Sequence, residues 1–266
     1  MTQCITSITP TLCKLMNVSP PATANAAEAL DLTGALESPA GFEKIEKCLV
    51  FAPDAIGAFL WEKYPDEFTA VTRHAPIRVP LRSMFPPKTP VCFASMFTGA
   101  GPQVHGISRY ERPVLTCETL FDALIAAGKR VAIAAVAGSS IDTIFKNRPM
   151  DYFSEDYDKQ VLKRTLELIE SDRHDFILSY VQEYDDTLHK ATPESPECIE
   201  AMKRHIGAFD LMAKTMSESW RRYDRAVVFA PDHGAHIDPA TGRGDHGEDI
   251  PEDMNIHHCF GLYKGM

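Results

Sequence analysis

Two features of secreted and membrane proteins are missing from this sequence of 266 residues. None of its apolar runs approaches the roughly 18 residues that a membrane-spanning helix needs. Residues 1–40 contain no basic segment followed by a sustained apolar one, so no signal peptide is expected. The seven cysteines are scattered and never form a C-x-x-C pair. A disulfide framework or a thiolate zinc cage is therefore not expected, and we predict a soluble, cytoplasmic protein.

Positive charge is also scarce. The chain has 27 lysines and arginines against 37 acidic residues, which gives a formal net charge of −10. This surplus argues against nucleic acid or an anionic membrane as the main partner. It would also repel a phosphate ester, unless bound metal supplied positive charge locally.

Short apolar runs alternate with helical patterns along most of the chain. The runs typical of strands are residues 47–52, 130–136, 175–181, 225–230 and 258–263, and the helical patterns cover residues 55–63, 118–127, 157–170 and 197–222. Continuous apolar strands separated by helices predict an α/β fold with a largely parallel, buried sheet. We predict one domain over residues 41–266, preceded by a loosely packed lead-in over residues 1–40 with a short helix near residues 10–16.

Three acidic residues follow three of the predicted strands. Asp54 comes after the run at 47–52, Asp185 after the run at 175–181, and Asp232 after the run at 225–230. A single aspartate in such a place is often only a helix cap. Ligands of parallel sheets, however, bind beyond the carboxyl ends of the strands, where three acids would converge.

Each acid is accompanied by a histidine. His233 follows Asp232 directly, and His189 lies four residues after Asp185, on the same face if the segment is helical. His246 lies in a glycine-rich loop at residues 242–247, where the backbone can approach an ion closely. A lone histidine is more often a surface or hydrogen-bonded residue, but three acid–histidine clusters indicate a metal site. Carboxylate and imidazole together suit zinc or manganese better than calcium.

A hydroxyl at a predicted helix start is the candidate nucleophile. Thr89 is placed as the N-cap, Pro90 at the first helical position, and Gly99 at the helix end. The free N–H groups and the dipole of a helix start favour an anion such as phosphate. From these residues alone, Thr89 is either a structural cap or a nucleophile.

Together these segments resemble the nucleotide pyrophosphatase/phosphodiesterase branch of the alkaline phosphatase superfamily. That branch has a nucleophile nine residues before a Thr-Gly pair, then a Pro-x-x-His-Gly-Ile stretch. The resemblance runs from about residue 48 to the C-terminus, and the motifs that carry it, in order, are Asp54, Thr89, Thr98-Gly99, Pro102-Gln-Val-His-Gly-Ile107, Asp185-x-x-x-His189, Asp232-His233-Gly234 and Gly244-Asp-His-Gly247.

The resemblance implies a three-layer α/β/α sandwich, a catalytic Thr89 and two divalent metal ions, zinc first and manganese as the alternative. It assigns one ion to Asp54, Thr89, Asp232 and His233, and the other to Asp185, His189 and His246. The implied reaction is hydrolysis of a small phosphate ester through a phospho-threonine intermediate, with phosphodiester or pyrophosphate bonds favoured. Neither a nucleic-acid polymer nor a membrane is expected as a partner.

The sequence departs from this family at one position and in its length. Cys92 stands where the branch usually has an asparagine, three residues after the nucleophile. The chain is also short, so any cap over the site should be small and lie near residues 137–156. His105 is expected in a structural turn, and Asp185 is preferred to Asp186 because it keeps the four-residue step to His189. A phosphomonoesterase, a metal-dependent phosphomutase and a catalytically inactive metal-binding protein of the same fold are the alternatives.

Overall fold

The computed structural model describes residues 3–25, 29–30, 32 and 44–266. Eight strands of this part of the chain form one sheet, and two more form a small hairpin. The sheet contains β1 (Gln3–Cys4), β2 (Lys47–Pro53), β3 (Ile77–Arg82), β4 (Val131–Val136), β5 (Asp151–Glu155), β6 (Phe176–Val181), β7 (Arg225–Phe229) and β10 (Asn255–Tyr263), and the hairpin contains β8 (His236–Ile237) and β9 (Gly244–Asp245).

The spatial order of the large sheet is β1-β3-β10-β7-β2-β6-β4-β5. Strand β10 runs antiparallel to its neighbours β3 and β7, and the other neighbouring strands are parallel. The prediction of a largely parallel sheet is therefore confirmed. In the middle of the sheet, β2 lies between β6 and β7, so strands that are far apart in sequence are neighbours.

Helices cover both faces of the sheet. They are α1 (Ile8–Leu15), α2 (Ala58–Lys63), α3 (Thr69–His74), α4 (Thr89–Thr98), α5 (Pro102–His105), α6 (Leu120–Ala126), α7 (Ser140–Ile144), α8 (Asp158–Ser171), α9 (Glu183–Leu188), α10 (Pro196–Ser219) and α11 (Pro251–Met254). Alternate residues of β2 belong to two separate apolar cores: Val50 packs in the core that contains Phe93 of α4, and Phe51 lies 6.0 Å from Phe209 of α10. The predicted α/β fold with helices on both sides is confirmed. Of the helices in the described residues, none is both long and apolar enough to cross a membrane.

The first residues of the chain are not the loosely packed lead-in that the sequence suggests. Strand β1 pairs with β3, and Ile8 and Leu12 of α1 are fully buried. The Thr9 hydroxyl donates to the carbonyl of Met96 in α4 at 2.7 Å. Helix α1 therefore supports the helix that carries Thr89. The predicted domain boundary near residue 41 lies outside the described residues and stays a prediction.

Residues 137–156, where a small cap is expected, form α7 and β5. Strand β5 pairs in parallel with β4 over five residue pairs and is the edge strand of the main sheet. Strand β5 therefore extends the sheet, and the role of residues 137–156 as a small cap stays a prediction. The sequence did not indicate β5, because a segment with little apolar character can still pair along an edge.

Two neighbouring strands, β3 and β10, also differ from the predictions. Strand β3 was not predicted, since Pro80 interrupts its apolar pattern and only two of its residues are buried. Strand β10 begins at Asn255, three residues before the predicted start. Residues Asn255–Phe260 of β10 pair with β3. The missed strand β3 and the missed start of β10 therefore belong to the same pair of strands.

Candidate metal centre

The carboxyl end of β2 carries Asp54 into the interior. The Asp54 N–H donates to the carbonyl of Val181, at the end of β6, at 2.9 Å. Ala55 then turns the chain with a φ of 62° and donates its N–H to Oδ1 of Asp232 at 3.3 Å. Because β2 and β7 are parallel neighbours, their carboxyl ends bring Asp54 and Asp232 together, as the sequence predicts.

Asp54, Asp232 and His233 form what we call the buried cluster. The His233 Nε2 lies 3.4 Å from Asp54 Oδ1 and 3.3 Å from Asp232 Oδ2. None of the three side chains is more than 2% exposed. One possible ligand atom from each lies within 4.8 Å of the others, a spacing that could hold a metal ion.

Asp185, His189 and His246 form a second group, the open cluster. Asp185 Oδ1 lies 3.5 Å from His189 Nε2 and 3.4 Å from His246 Nε2. The His189 side chain is 40% exposed, whereas that of His246 is 4% exposed. The rings of His233 and His246 stack with centroids 4.0 Å apart, so the two clusters are adjacent.

All three histidines are held in the same way. In each ring Nδ1 is within hydrogen-bond distance of a backbone carbonyl, which can only accept, so Nδ1 carries the proton. The Nε2 atom of the neutral ring is then free to bind a metal, an arrangement common among histidine ligands. The carbonyls belong to Gly234 for His233 (3.0 Å), Gly244 for His189 (3.1 Å) and Pro87 for His246 (2.7 Å).

The carboxylates lack partners where a metal would bind. Asp54 Oδ1, Asp185 Oδ1 and Asp232 Oδ2 are buried and have no hydrogen-bond partner within the described residues. Leaving such oxygens unpaired is costly, and a cation would compensate for it. The donor set of carboxylate oxygen and imidazole nitrogen fits zinc or manganese.

The pKa values show the same need for positive charge. Burial, helped by the charge of Asp185, raises the pKa of Asp54 to about 8. Burial and the neighbouring Asp54 raise the pKa of Asp232 well above its usual range, and burial lowers the pKa of His233 well below its own. Burial alone would raise the pKa of Asp185, but the neighbouring imidazoles, that of His246 above all, outweigh it and lower the pKa. A bound cation would favour the ionised form of all three carboxyl groups.

Thr89 lies beside the buried cluster. It is the first residue of α4, and Lys88 is the N-cap, so the predicted cap position is wrong by one residue. Lys88 takes the cap position because its backbone is extended, with a φ of −123° and a ψ of 136°. The Thr89 hydroxyl oxygen is 3.4 Å from His233 Nε2, and the side chain is buried. At the other end Gly99 closes α4 with a φ of 69°, as predicted.

Several residues weighed in the sequence lie away from the clusters. Asp186 accepts a hydrogen bond from the Tyr157 hydroxyl at 2.7 Å. His105, expected in a turn, is the last residue of the short helix α5 and lies between the Ser95 hydroxyl and the N–H of Ile107. Other such residues are the fully buried Cys92, whose sulfur lies 3.1 Å from the Ser83 hydroxyl, His257, which packs edge-on against Trp61, and His258, which bonds the carbonyl of Pro231.

Asp253 is a buried residue near the centre that sequence reasoning missed. Its Oδ2 accepts the N–H groups of Gly247 and Glu248 at 2.8 and 2.9 Å, immediately after His246. Its backbone carbonyl accepts the N–H of Gly234 at 2.8 Å, immediately after His233. One residue thus fixes a loop of each cluster. Its position in a run of acidic residues gave no signal in the sequence.

Two further residues support the site. The Tyr180 hydroxyl donates to Asp54 Oδ2, and the Lys88 ammonium donates to the carbonyl of His246. Lys88 could have been noticed in the sequence, because it directly precedes Thr89. Nothing in the pattern of β6 distinguished Tyr180 from an ordinary core residue.

In a third group of possible ligands, Asp158, Glu183 and His205, both carboxylates already have partners. Asp158 bonds His205 at 2.9 Å and accepts the backbone N–H groups of Gln182 and Glu183 at 3.0 and 2.8 Å. Glu183 is also paired with Arg204. These bonds hold the start of α9, which carries Asp185.

Comparison with solved structures supports the fold. Phosphonoacetate hydrolase from Sinorhizobium meliloti 1021 matches in complex with phosphonoformate (TM-score 0.55, 18% identity) and with phosphonoacetate (TM-score 0.53, 17% identity), over 72% of this chain and 57% of that one. Murine ectonucleotide pyrophosphatase/phosphodiesterase 5, as an inactive variant with one threonine replaced by alanine and in complex with AMP, matches with a TM-score of 0.54 and 17% identity. That match covers 72% of this chain and 58% of the murine one. The chain therefore corresponds to little more than half the length of these neighbours.

Sequence comparison identifies the family. No curated protein matches the chain in sequence. The profile of the type I phosphodiesterase / nucleotide pyrophosphatase family matches residues 73–258, which is more than half of the chain. This match confirms the resemblance found in the motifs. The chain belongs to the type I phosphodiesterase / nucleotide pyrophosphatase family.

Proposed function

We propose that the protein hydrolyses small phosphate esters, with Thr89 as the nucleophile and two divalent metal ions, zinc or manganese, as cofactors. The observation that carries this proposal is the position of the Thr89 hydroxyl, 3.4 Å from His233 at the start of α4 and next to two acid–histidine clusters. The family supports the class of reaction. The inactive murine neighbour, in which a threonine is replaced by alanine, supports a role for threonine in this fold.

The electrostatics of the site suit a phosphate despite the acidic chain. Two divalent ions would bring four positive charges against the three carboxylates of Asp54, Asp185 and Asp232. The start of α4 adds the partial positive charge of a helix N-terminus close to Thr89. The proposed site is therefore locally positive in a protein of net charge −10.

In the first step the Thr89 oxygen attacks phosphorus, and its proton is released to solvent. The bond from phosphorus to the leaving oxygen breaks, and that oxygen departs with the electron pair. In the second step water attacks the phospho-threonine, which releases the phosphorylated product and restores the hydroxyl. Bound metal ions would lower the pKa of the hydroxyl and offset the charge on the leaving oxygen. His233 lies 3.4 Å from the Thr89 hydroxyl and orients it, and burial limits the access of bulk water.

We propose phosphodiester or pyrophosphate bonds as the preferred substrates. The family is named for both bonds, and the murine neighbour binds AMP. No described arginine contacts Thr89 to clamp the extra charge of a monoester, for which a guanidinium is well suited. Within residues 137–156, strand β5 (Asp151–Glu155) pairs along the sheet edge, which favours a small cap with room for a second ester group.

The test replaces Thr89. We expect Thr89→Ala to lower kcat by about a thousandfold or more, as when other enzymes lose their nucleophile, while most of the metal is retained. Thr89→Ser should keep part of the activity. Thr69→Ala, at the first position of the exposed helix α3, is the matched control and should be unaffected. A fully active Thr89→Ala variant would exclude covalent catalysis by this residue, and a protein without metal that zinc and manganese do not activate would exclude the metal-dependent mechanism.

A further inference from the structure

A cavity of about 450 Å³ opens beside the open cluster. It is lined by His189, Asp238, Thr241, Arg243, Gly244 and Asp245. His189 belongs to both the cavity and the proposed metal centre, and its side chain is 40% exposed. A molecule bound in this cavity would therefore contact the site of reaction directly.

The loop that carries Arg243 is fixed against α9. The N–H of Gly244 donates to the carbonyl of Ala191 at 2.9 Å, and its carbonyl accepts from the His189 ring. A Cβ at residue 244 would lie 2.5 Å from the carbonyl oxygen of Leu188, so only glycine allows this close approach. Arg243, the preceding residue, is thus held at a defined place next to His189.

The charged side chains that line the cavity differ in the number of hydrogen-bond and ion-pair partners they have. The Asp238 carboxylate accepts from the N–H of Ala240 at 2.9 Å and from the Thr241 hydroxyl at 2.8 Å. The Asp245 carboxylate accepts from the N–H of His246 at 2.7 Å and is 3.4 Å from the Lys88 ammonium. The guanidinium of Arg243 is exposed and has no hydrogen bond or ion pair with any residue of 3–25, 29–30, 32 and 44–266. Among the lining residues it is the one permanent cation.

The proposed function implies a direction for the leaving group. Attack on phosphorus proceeds with the nucleophile and the leaving oxygen roughly in line. With Thr89 attacking from the buried cluster, the leaving oxygen would be on the side of the open cluster and its cavity. An arginine fork there matches the oxygens of a phosphate or carboxylate.

We infer that Arg243 binds an anionic leaving group, most simply the phosphate or pyrophosphate released from a phosphoanhydride, and so selects anhydride substrates. This inference rests on the proposed function for the direction of attack. Arg243 would act on substrate choice and not on the chemistry of Thr89. The cavity would accordingly distinguish two substrates that share the same transferred group.

The experiment compares ATP, whose leaving group is pyrophosphate, with the 4-nitrophenyl ester of thymidine 5′-monophosphate, whose leaving group carries no additional anion. We expect Arg243→Ala to lower kcat/KM for ATP about tenfold, which corresponds to about 1.4 kcal/mol, mainly through KM. The nitrophenyl ester should change less than twofold. Arg243→Lys should fall between, and Arg221→Ala, an exposed arginine just before the opposite end of β7, should have no effect.

Binding of inorganic pyrophosphate to the zinc-loaded protein, measured by calorimetry, provides a readout without turnover. Its Kd should rise about tenfold in Arg243→Ala, again about 1.4 kcal/mol. Equal losses on both substrates, an unchanged Kd, or no binding by the wild type would overturn the inference. If the wild type binds pyrophosphate through Arg243 but hydrolyses neither ATP nor the nitrophenyl ester, the subsite stands and the proposed function fails. If it hydrolyses both substrates but Arg243→Ala leaves the Kd for pyrophosphate unchanged, the proposed function stands and the subsite fails.

Discussion

The buried and open clusters have similar donor sets but very different surroundings. In the buried cluster, Asp54 and Asp232 follow the central strands β2 and β7, and every side chain is at most 2% exposed. In the open cluster, Asp185 and His189 lie on and just after the short helix α9, and His189 faces a cavity. The comparison suggests a division of labour in which the rigid cluster holds the nucleophile and the accessible one receives the leaving group.

Among the residues of the two clusters, the largest expected effect on activity comes from replacing a histidine in each. His233→Ala should lower activity by more than the 10- to 100-fold typical of outer partners of a metal, because it removes both a ligand and the neighbour of Thr89. His189→Ala should lower activity less, since water can replace an exposed ligand. Elemental analysis of the purified variants should show one ion lost in each.

His257→Ala is the control for this pair. His257 lies in neither cluster and packs edge-on against Trp61 with ring centroids 5.8 Å apart. Its replacement should leave the metal content unchanged. Loss of metal from His257→Ala but not from His233→Ala would show that the ligand assignment near the C-terminus is wrong.

A smaller effect is expected from Asp253, which joins the two clusters. Asp253→Asn retains the shape of the side chain but replaces an acceptor oxygen by a donor facing the N–H groups of Gly247 and Glu248, or the ring of His236. We expect roughly a 10- to 100-fold loss of metal affinity, detectable as a change in the absorption spectrum of the cobalt-substituted protein. Asp249→Asn, an exposed acid in the same stretch, is the control. An unchanged spectrum with weaker stability alone would reduce Asp253 to a structural role.

The pH dependence of stability sharpens the contrast between the clusters. In the metal-free protein the raised pKa of Asp54, about 8, means that the folded state binds a proton that the unfolded chain has already released. Stability should therefore fall as pH rises from about 5 to about 8, by up to about 1.4 kcal/mol per pH unit for each such carboxyl, and level off above pH 8. The lowered pKa of Asp185 acts below about 4 and does not contribute in this range. Thermal melts with and without zinc should show this fall only without metal, and Asp54→Asn should remove part of it.

The smallest expected effect concerns substrate preference. We expect bis(4-nitrophenyl) phosphate, or a nucleotide monophosphate nitrophenyl ester, to have a kcat/KM several-fold higher than 4-nitrophenyl phosphate. Cys92 does not oppose this, since its thiol lies in the core beside Ser83. A monoester preference of tenfold or more, about 1.4 kcal/mol in transition-state binding, would instead indicate a phosphatase or mutase.

The buried cluster was the more predictable of the two from the sequence. Its acids follow strands whose continuous apolar runs are unmistakable, and parallel neighbours necessarily bring their carboxyl ends together. The sequence also proposed Asp185, His189 and His246, and the structure brings them together, although their role as ligands stays a prediction. The cavity beside His189 was not predictable, because it depends on how a polar loop packs against α9.

The remaining errors share a physical cause. Strand β3, strand β5 and the supporting residue Asp253 are all defined by partners distant in sequence, and their own residues are polar or interrupted by proline. The helix α1 was predicted from its own pattern, but its burial was missed, because the pattern does not show that its partner is α4. Local patterns predict elements that are apolar in themselves, but not those that become ordered through tertiary contacts.

The central place of β2 has a practical consequence for work on this family. The matched segment, residues 73–258, begins after β2 and Asp54 and ends before the last residues of β10. A fragment cut to those limits would lack a strand with neighbours on both sides, and the gap would expose apolar edges of β6 and β7. We expect such a fragment to aggregate, so the unit of homology here is smaller than the unit that can fold.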